Sequence, residues 1–122
     1  MKPFIVIPVL LLLAACSSAA EIQQRRTMEE IEKQVQLPAG AEKLEAYARY
    51  YAMDRNRVVG RYIARSLVDP ENEYYDLPAG QNRWIADHRN LPLISDGGCS
   101  VVDLVYDPAK QRVEQASCNG VA

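Results

Sequence analysis

The clearest alternation of apolar and polar residues lies near the C-terminus. Residues 100–106 alternate and are rich in β-branched side chains, an Asp-Pro-Ala-Lys sequence with the composition of a turn follows, and residues 111–117 return as a second extended segment. This order predicts an antiparallel hairpin. Because the ring of Pro108 fixes φ near about −65°, the turn cannot be the mirror-image type, and we expect a left-handed residue at Lys110 or Gln111.

A second hairpin is predicted nearer the middle of the chain. The segment 41–53 fits either structure, because its apolar residues can form a helical face whereas its three tyrosines favour a strand. The residues that follow, 54–57, have turn composition, with Asn56 able to take a left-handed conformation. The simpler solution is a hairpin that pairs residues 46–53 with residues 57–65.

A helix is predicted before these strands. Residues 21–36 are mostly helix formers, and Met28 and Ile31 have the spacing of one helix face. Thr27 and Glu30 have the spacing of a capping box. Because the apolar stripe is narrow, the segment is either a helix packed on one side of the domain or a spacer.

The longest apolar run of the chain is at its beginning. Residues 4–15 contain no polar side chain, and this run is too short for a transmembrane helix, which needs about 20 residues, but suits the apolar centre of an export signal, of about 7–15 residues. The run ends in the sequence Leu13-Ala14-Ala15-Cys16. The segment resembles the signal peptides of bacterial lipoproteins, whose lipobox is an aliphatic residue, two small residues and a cysteine.

This resemblance implies a lipid anchor. The Cys16 thiol would receive a diacylglyceryl group and cleavage would precede it, which divides the chain into a signal peptide (1–15), a lipid-anchored tether (16–20), the helix or spacer (21–36) and a small domain (41–122). Two or three acyl chains anchor a protein stably. Because Ser17 and not Asp follows the cysteine, the resemblance implies sorting to the periplasmic side of the outer membrane in a Gram-negative source.

The two other cysteines are predicted to form a structural disulfide. Once Cys16 is assigned to the lipid, Cys99 and Cys118 remain as a pair, as expected in an oxidising compartment. They flank the C-terminal hairpin with arms of equal length, so their sulfur atoms are expected at facing positions at its open end. Their spacing is not that of a redox Cys-x-x-Cys motif or of a zinc site.

Together these elements predict an α+β fold. It consists of an N-terminal helix followed by a small antiparallel sheet of four to five strands, which ends in the disulfide-closed hairpin. Residues 83–86 are a candidate short strand. The sequence Leu-Pro-Ala-Gly occurs at both 37–40 and 77–80, and we interpret it as a recurring turn because the flanking residues do not agree.

Composition and motifs limit the chemistry. The chain has 122 residues, enough for one small domain, and its net charge of −2 gives no general attraction to nucleic acid. His88 is the only histidine, so a two-histidine metal site is excluded, and catalysis by His88 would need a carboxylate such as Asp96 or Glu114. No phosphate loop or nucleophile elbow is present. We therefore predict no catalytic residue, no metal site and no cofactor.

One group of residues is a candidate binding surface. Six of the seven tyrosines lie between residues 47 and 75 among several arginines, and both residue types are common in binding hot spots. Packing in the core is the favoured alternative, since tyrosines are common on half-buried strands. If the residues are exposed, the surface comprises Tyr47, Arg49, Tyr50, Tyr51, Arg61 and Tyr62.

The sequence therefore favours a lipid-anchored, non-catalytic protein of the cell envelope. Its expected partners are the membrane, through the lipid on Cys16, and an outer-membrane protein or a cell-wall component, but no nucleic acid. The first alternative is a periplasmic inhibitor or accessory subunit that presses its tyrosine- and arginine-rich hairpin onto an envelope enzyme or assembly. The second alternative is an enzyme that uses His88.

Overall fold

A computed structural model describes residues 2–3, 18–69, 71 and 75–120. Within these ranges one α-helix is followed by a five-stranded sheet. The elements are α1 (Ala19–Gln34), β1 (Tyr47–Asp54), β2 (Arg57–Ala64), β3 (Asn82–Trp84), β4 (Gly98–Asp107) and β5 (Arg112–Asn119). Cys16 and the predicted cleavage site lie outside the described residues.

The sheet is mixed, with the strand order β3-β1-β2-β4-β5. Four strands pair antiparallel, as the sequence predicts, but β3 runs parallel to β1. The expectation of a purely antiparallel sheet is therefore wrong. β2 ends at the end of the sheet where β1 begins, and the connection then crosses to the other side of β1, so β3 starts at that same end and runs in the same direction as β1.

The helix is confirmed, but it begins earlier than predicted. Ser18 is its N-cap, and the Ser18 Oγ accepts a hydrogen bond from the backbone N–H of Glu21 at 3.2 Å. The predicted capping box is wrong: Thr27 lies inside the helix, where its hydroxyl donates to the carbonyl of Gln23 at 2.8 Å. The helix packs on the sheet and is not a spacer, because Met28 and Ile31 belong to the main core cluster.

Both predicted hairpins are present. β1 and β2 pair over their full lengths, which settles the choice for this segment in favour of a strand. In their two-residue turn Arg55, and not Asn56, has a positive φ, of 57°. The turn types favoured in two-residue hairpins require a positive φ at the first of the two turn residues, which here is Arg55. In the β4–β5 turn Gln111 is left-handed, with φ 50°, which is one of the two predicted positions.

The Leu-Pro-Ala-Gly sequences form the same turn twice, as predicted. In each, the proline carbonyl accepts a hydrogen bond from the backbone N–H three residues later, at 3.1 and 3.2 Å. Gly40 and Gly80 have φ values of 88° and 89°. A type II turn requires a positive φ at its third residue, which glycine adopts without steric cost.

The sheet curves around the helix. Both edge strands contact the last turn of the helix: the Asn82 amide of β3 donates to Glu32, and the backbone N–H of Val113 in β5 donates to Gln34, two residues further along α1. In a flat five-stranded sheet the edges would lie about 19 Å apart, since neighbouring strands are about 4.8 Å apart. A helix with its side chains is only about 10–12 Å wide. The two edges must therefore bend towards each other across α1.

The opposite face of the sheet is covered by the long connection between β2 and β4. Leu77 and Leu91 of this connection are buried against Ala48, Tyr50 and Ile63. We call this side the loop face and the side under α1 the helix face. Side chains alternate between the two faces along each strand, so neighbouring residues in β1 belong to different cores.

Candidate functional site

Arg49, predicted for the binding surface, instead connects α1 to two other parts of the fold. Its guanidinium forms an ion pair with Glu32 and donates to the carbonyl of Leu44 at 2.9 Å and that of Gly80 at 3.3 Å. Glu32 also accepts a hydrogen bond from the side-chain amide of Asn82 at 2.9 Å. The Arg49 and Glu32 side chains are only 10% and 13% exposed, so the pair is shielded from water.

Tyr51 and Tyr62 form a second polar contact on the helix face. Their hydroxyl oxygens are 2.7 Å apart, and their rings meet edge to face with centroids 5.7 Å apart. Burial raises the pKa of both phenols well above the ordinary value, and for Tyr51 the neighbouring Tyr62 adds to the rise. The Tyr51 ring lies over Gly60, where an added Cβ would come within 3.3 Å of it.

The remaining members of the predicted surface have structural partners as well. The Tyr47 hydroxyl donates to the carbonyl of Cys99 at 2.7 Å. On the loop face, the Tyr50 hydroxyl accepts from the backbone N–H of Leu77 at 3.2 Å. Arg61, also on the loop face, forms an ion pair with Asp103 at 2.9 Å.

These six residues therefore form no common surface. All four tyrosines are 2% exposed or less, and Arg49 as a whole residue is 8% exposed, so these five residues are packed in the core, the alternative that the sequence favours. They also point to opposite sides of the sheet, because Tyr50 and Arg61 alternate with the others along β1 and β2. The sequence pattern identified a half-buried hairpin but could not show that helix and connection cover both of its faces.

The Cys99–Cys118 disulfide is present and joins β4 to β5, which confirms that prediction. The Cα atoms are 4.5 Å apart. Cys99 also lies beside the first Leu-Pro-Ala-Gly turn, where a Cβ added at Gly40 would come within 3.2 Å of its sulfur atom. The disulfide therefore lies at the end of the sheet where β1 begins. We call this end of the sheet the disulfide end.

His88 lies at the other end of the sheet, in a one-turn 3-10 helix at His88–Asn90. Its ring is 41% exposed, and its nitrogen atoms are 3.8 Å from Asp54 and 3.9 Å from Asp87, beyond hydrogen-bond distance. The carboxylates proposed from the sequence are elsewhere: Glu114 pairs with Arg57, and Asp96 lies against Gly120 at the disulfide end. His88 therefore has neither of these carboxylates as a partner.

Asp87 has a structural partner of its own. Its carboxylate caps the 3-10 helix by accepting from the backbone N–H of Arg89 at 2.9 Å, and it binds the Arg89 guanidinium at 2.7 Å. The hydrogen bonds from the Arg89 side chain lower the pKa of Asp87 to about 2. Asp87 is thus ionised at neutral pH and is engaged by Arg89.

The most prominent functional candidate is the end of the sheet formed by the two hairpin turns. Because Val58 of β2 pairs with Tyr106 of β4, the β1–β2 and β4–β5 turns lie side by side. We call this region the hairpin end; it comprises residues 54–57 and 107–112. Between Asp54, Arg57 and His88 it contains an open depression of about 660 Å³.

Positive charge predominates at the hairpin end. It contains four basic residues (Arg55, Arg57, Lys110 and Arg112) and two acidic ones (Asp54 and Asp107). Arg57 is bound to Asp107 and Glu114, but within the described ranges Arg55, Lys110 and Arg112 are exposed and take part in no ion pair. Sequence reasoning missed this cluster, because its charges are on two turns that come together only in the folded sheet.

The hairpin end also adjoins the first half of α1. A cleft of about 290 Å³ lies between Arg26 and Glu30 of the helix and Pro108 and Gln111 of the β4–β5 turn. The N-terminal part of α1, around Arg26, therefore lies beside this turn.

Comparison with known proteins adds no assignment: no family model, curated protein or solved structure matches this chain. Among the described residues no group of three or more histidine, cysteine, aspartate or glutamate side chains could hold a metal ion. In the same part of the chain, no helix has the length and apolar character needed to cross a membrane.

Proposed function

We propose that the chain is a lipoprotein of the cell envelope, anchored through acyl chains on Cys16 and without catalytic activity. The observation that carries this proposal is the lipobox-like sequence Leu13-Ala14-Ala15-Cys16 at the end of a twelve-residue apolar run. The folded domain would serve as a binding or structural module for an outer-membrane protein or a cell-wall component.

Two features of the domain support export. The Cys99–Cys118 disulfide suits an oxidising compartment such as the periplasm. Only Ser17 and Ser18 separate Cys16 from the first residue of α1, and a segment of this length spans at most about 10 Å. A domain held so close to its anchor is suited to a role at the membrane surface.

The anchor is tested by two treatments of the producing bacterium. Globomycin, which blocks the lipoprotein signal peptidase, should cause a precursor longer by residues 1–15 to accumulate. The variant Cys16→Ala should release the protein from the membrane fraction, whereas the control Ser17→Ala, outside the lipobox, should remain there. Unchanged processing under globomycin, together with membrane retention of Cys16→Ala, would refute the proposal.

The destination of the protein is tested at the next position. Because a lipoprotein with Asp after its cysteine is expected to be retained in the inner membrane of Gram-negative bacteria, Ser17→Asp should move the protein from the outer to the inner membrane fraction. The matched variant Ser17→Asn should leave it in the outer membrane. Equal fractionation of both variants would contradict this sorting.

The alternative role as an inhibitor or accessory subunit needs a different surface from the one first considered. Tyr50 and Tyr62 are buried, so they cannot be pressed onto an enzyme without unfolding. A photo-crosslinker at Met53, which is 41% exposed on the same hairpin, is the better probe of this alternative. A single specific partner captured there and not from Leu93 would favour it.

A further inference from the structure

We propose that the hairpin end lies against the membrane and that its basic side chains bind the headgroups of anionic phospholipids. This inference rests on the proposed function, since the acyl chains on Cys16 determine which part of the domain is near the bilayer.

The position of the anchor selects this end of the domain. With a tether of about 10 Å at most, the first turn of α1 is close to the headgroups. The cleft between Arg26 and Pro108 places the β4–β5 turn beside the N-terminal part of the helix, while the last helix residue, Gln34, contacts the start of β5. The β1–β2 turn adjoins the β4–β5 turn through the pairing of β2 with β4.

The charges of the domain also favour the hairpin end as the side that faces an anionic membrane. Arg55, Lys110 and Arg112 are exposed and lack carboxylate partners among the residues described, so their side chains can reach phosphate groups. The exposed first half of α1 contains both acidic and basic residues and adds little to the positive charge of the hairpin end. At the disulfide end, the surface around residues 42–46 and 65–66 has Glu42 and Glu45 together with Lys43 and Arg65, so positive charge does not predominate there.

The physical effect is a preferred orientation and not the anchoring itself. A basic residue near an anionic membrane surface increases membrane association about five-fold, and the attraction decays within a Debye length of about 8 Å at physiological salt. Three such residues give a combined preference of about a hundred-fold for the orientation in which the hairpin end touches the headgroups.

The test uses the mature lipidated protein in vesicles, with an environment-sensitive fluorophore on one introduced cysteine. Ala109→Cys places the label in the β4–β5 turn, and Ser66→Cys places it on an exposed residue near the disulfide end. The native Cys99 and Cys118 are bonded to each other and do not react. The vesicles are phosphatidylcholine alone or phosphatidylcholine with about one-third phosphatidylglycerol.

We expect acrylamide, a neutral quencher, to quench the label at residue 109 several-fold less on the anionic vesicles than on the neutral ones, and the label at residue 66 equally on both. The triple variant Arg55→Glu, Lys110→Glu, Arg112→Glu should abolish the protection at residue 109 while the protein still floats with the vesicles. The control Lys43→Glu, Arg65→Glu, at the other end, should leave the protection intact.

The outcomes separate this inference from the proposed function. Protein that floats with both kinds of vesicle but shows equal quenching at residue 109 overturns the orientation and leaves the anchor standing. Protection of residue 66 in place of residue 109 overturns it as well. Protein that does not float lacks the anchor, and both proposals then fail.

Discussion

The two faces of the sheet are stabilised in different ways. On the helix face the packing includes polar groups that are fully paired, namely the Arg49–Glu32 ion pair and the two linked hydroxyls of Tyr51 and Tyr62. On the loop face the connection covers β1 and β2 mainly with apolar side chains such as Leu77 and Leu91. No buried side-chain nitrogen or oxygen lacks a hydrogen-bond partner in the described part of the chain.

This difference shows which contacts hold α1 and which hold the connection on the sheet. A helix can slide or rotate over an apolar surface, so directional contacts fix its position. A connection held by strands at both of its ends needs fewer such contacts, and here Tyr50 and Arg61 supply them through Leu77 and Pro92. Substitutions on the helix face should therefore act through unpaired polar groups, and those on the loop face through lost packing.

The largest effect is expected when the buried ion pair loses one partner. Glu32→Ala leaves the guanidinium of Arg49 shielded from water without its carboxylate, which should lower the free energy of unfolding by about 3 kcal/mol. Urea unfolding followed by circular dichroism measures this change. The double variant Glu32→Leu, Arg49→Leu should recover most of the loss. A free energy of unfolding for Glu32→Ala within about 0.5 kcal/mol of the parent would show that the ion pair does not hold α1 in place.

A slightly smaller effect is expected on the loop face. Leu77 is only 3% exposed, so Leu77→Ala should lower the free energy of unfolding by about 2–3 kcal/mol through the cavity it leaves. The matched variant Leu77→Met, with similar volume, should cost less than about 1.5 kcal/mol. Equal losses for the two variants would show that shape and not volume governs this face.

The tyrosine pair should show non-additive behaviour. Tyr51→Phe or Tyr62→Phe leaves one buried hydroxyl without its partner and should cost about 1–2 kcal/mol. Because the double variant removes both hydroxyls, its cost should be clearly below the sum of the single costs. Additive losses in a double-mutant cycle would mean that the hydroxyls do not depend on each other.

Alkaline pH should lower the free energy of unfolding mainly through the same two phenols, those of Tyr51 and Tyr62. Their pKa values are raised in the folded state, so the stabilisation is fully present below pH 10 and declines as the pH rises above it, because only the unfolded chain then ionises. Each phenol contributes about 1.4 kcal/mol of lost stability per pH unit. Absorbance at the phenolate band should show these tyrosines ionising together with unfolding; ionisation of all seven in the native state near pH 10 is the contrary result.

The smallest effect is expected at Leu93, which is 83% exposed. Leu93→Ser removes almost no buried area and should change the free energy of unfolding by less than about 0.5 kcal/mol. Thermal unfolding compared with Leu91→Ser, two positions away at 9% exposure, measures the contrast. A large loss for Leu93→Ser would show that this side chain is covered in solution.

The elements that the sequence predicted correctly are those determined locally. Turn residues and alternation gave both hairpins, and equal arm lengths gave the disulfide between Cys99 and Cys118. The direction of β3 could not be predicted in this way, because it depends on the path of the connection before it. The curvature of the sheet likewise results from packing of both edges on α1.

The candidate site was less predictable, for the same reason. An arginine on a strand is usually expected to reach solvent, and the partner that buries Arg49 lies 17 residues away on α1. The basic cluster at the hairpin end combines Arg55 with Lys110 and Arg112, from turns more than fifty residues apart in sequence. Hydrophobic periodicity describes one segment at a time and does not predict contacts between segments that are distant in sequence.

The side chain of Gln34 affects how the edge of the sheet can contact neighbouring molecules. Its side-chain amide accepts from the backbone N–H of Val113 at 2.9 Å and donates to the carbonyl of Gln111 at 3.0 Å, so it occupies the outer edge of β5 as a short strand would. Open sheet edges recruit strands from other chains. The Gln34 side chain therefore closes this part of the sheet edge to strands of other molecules.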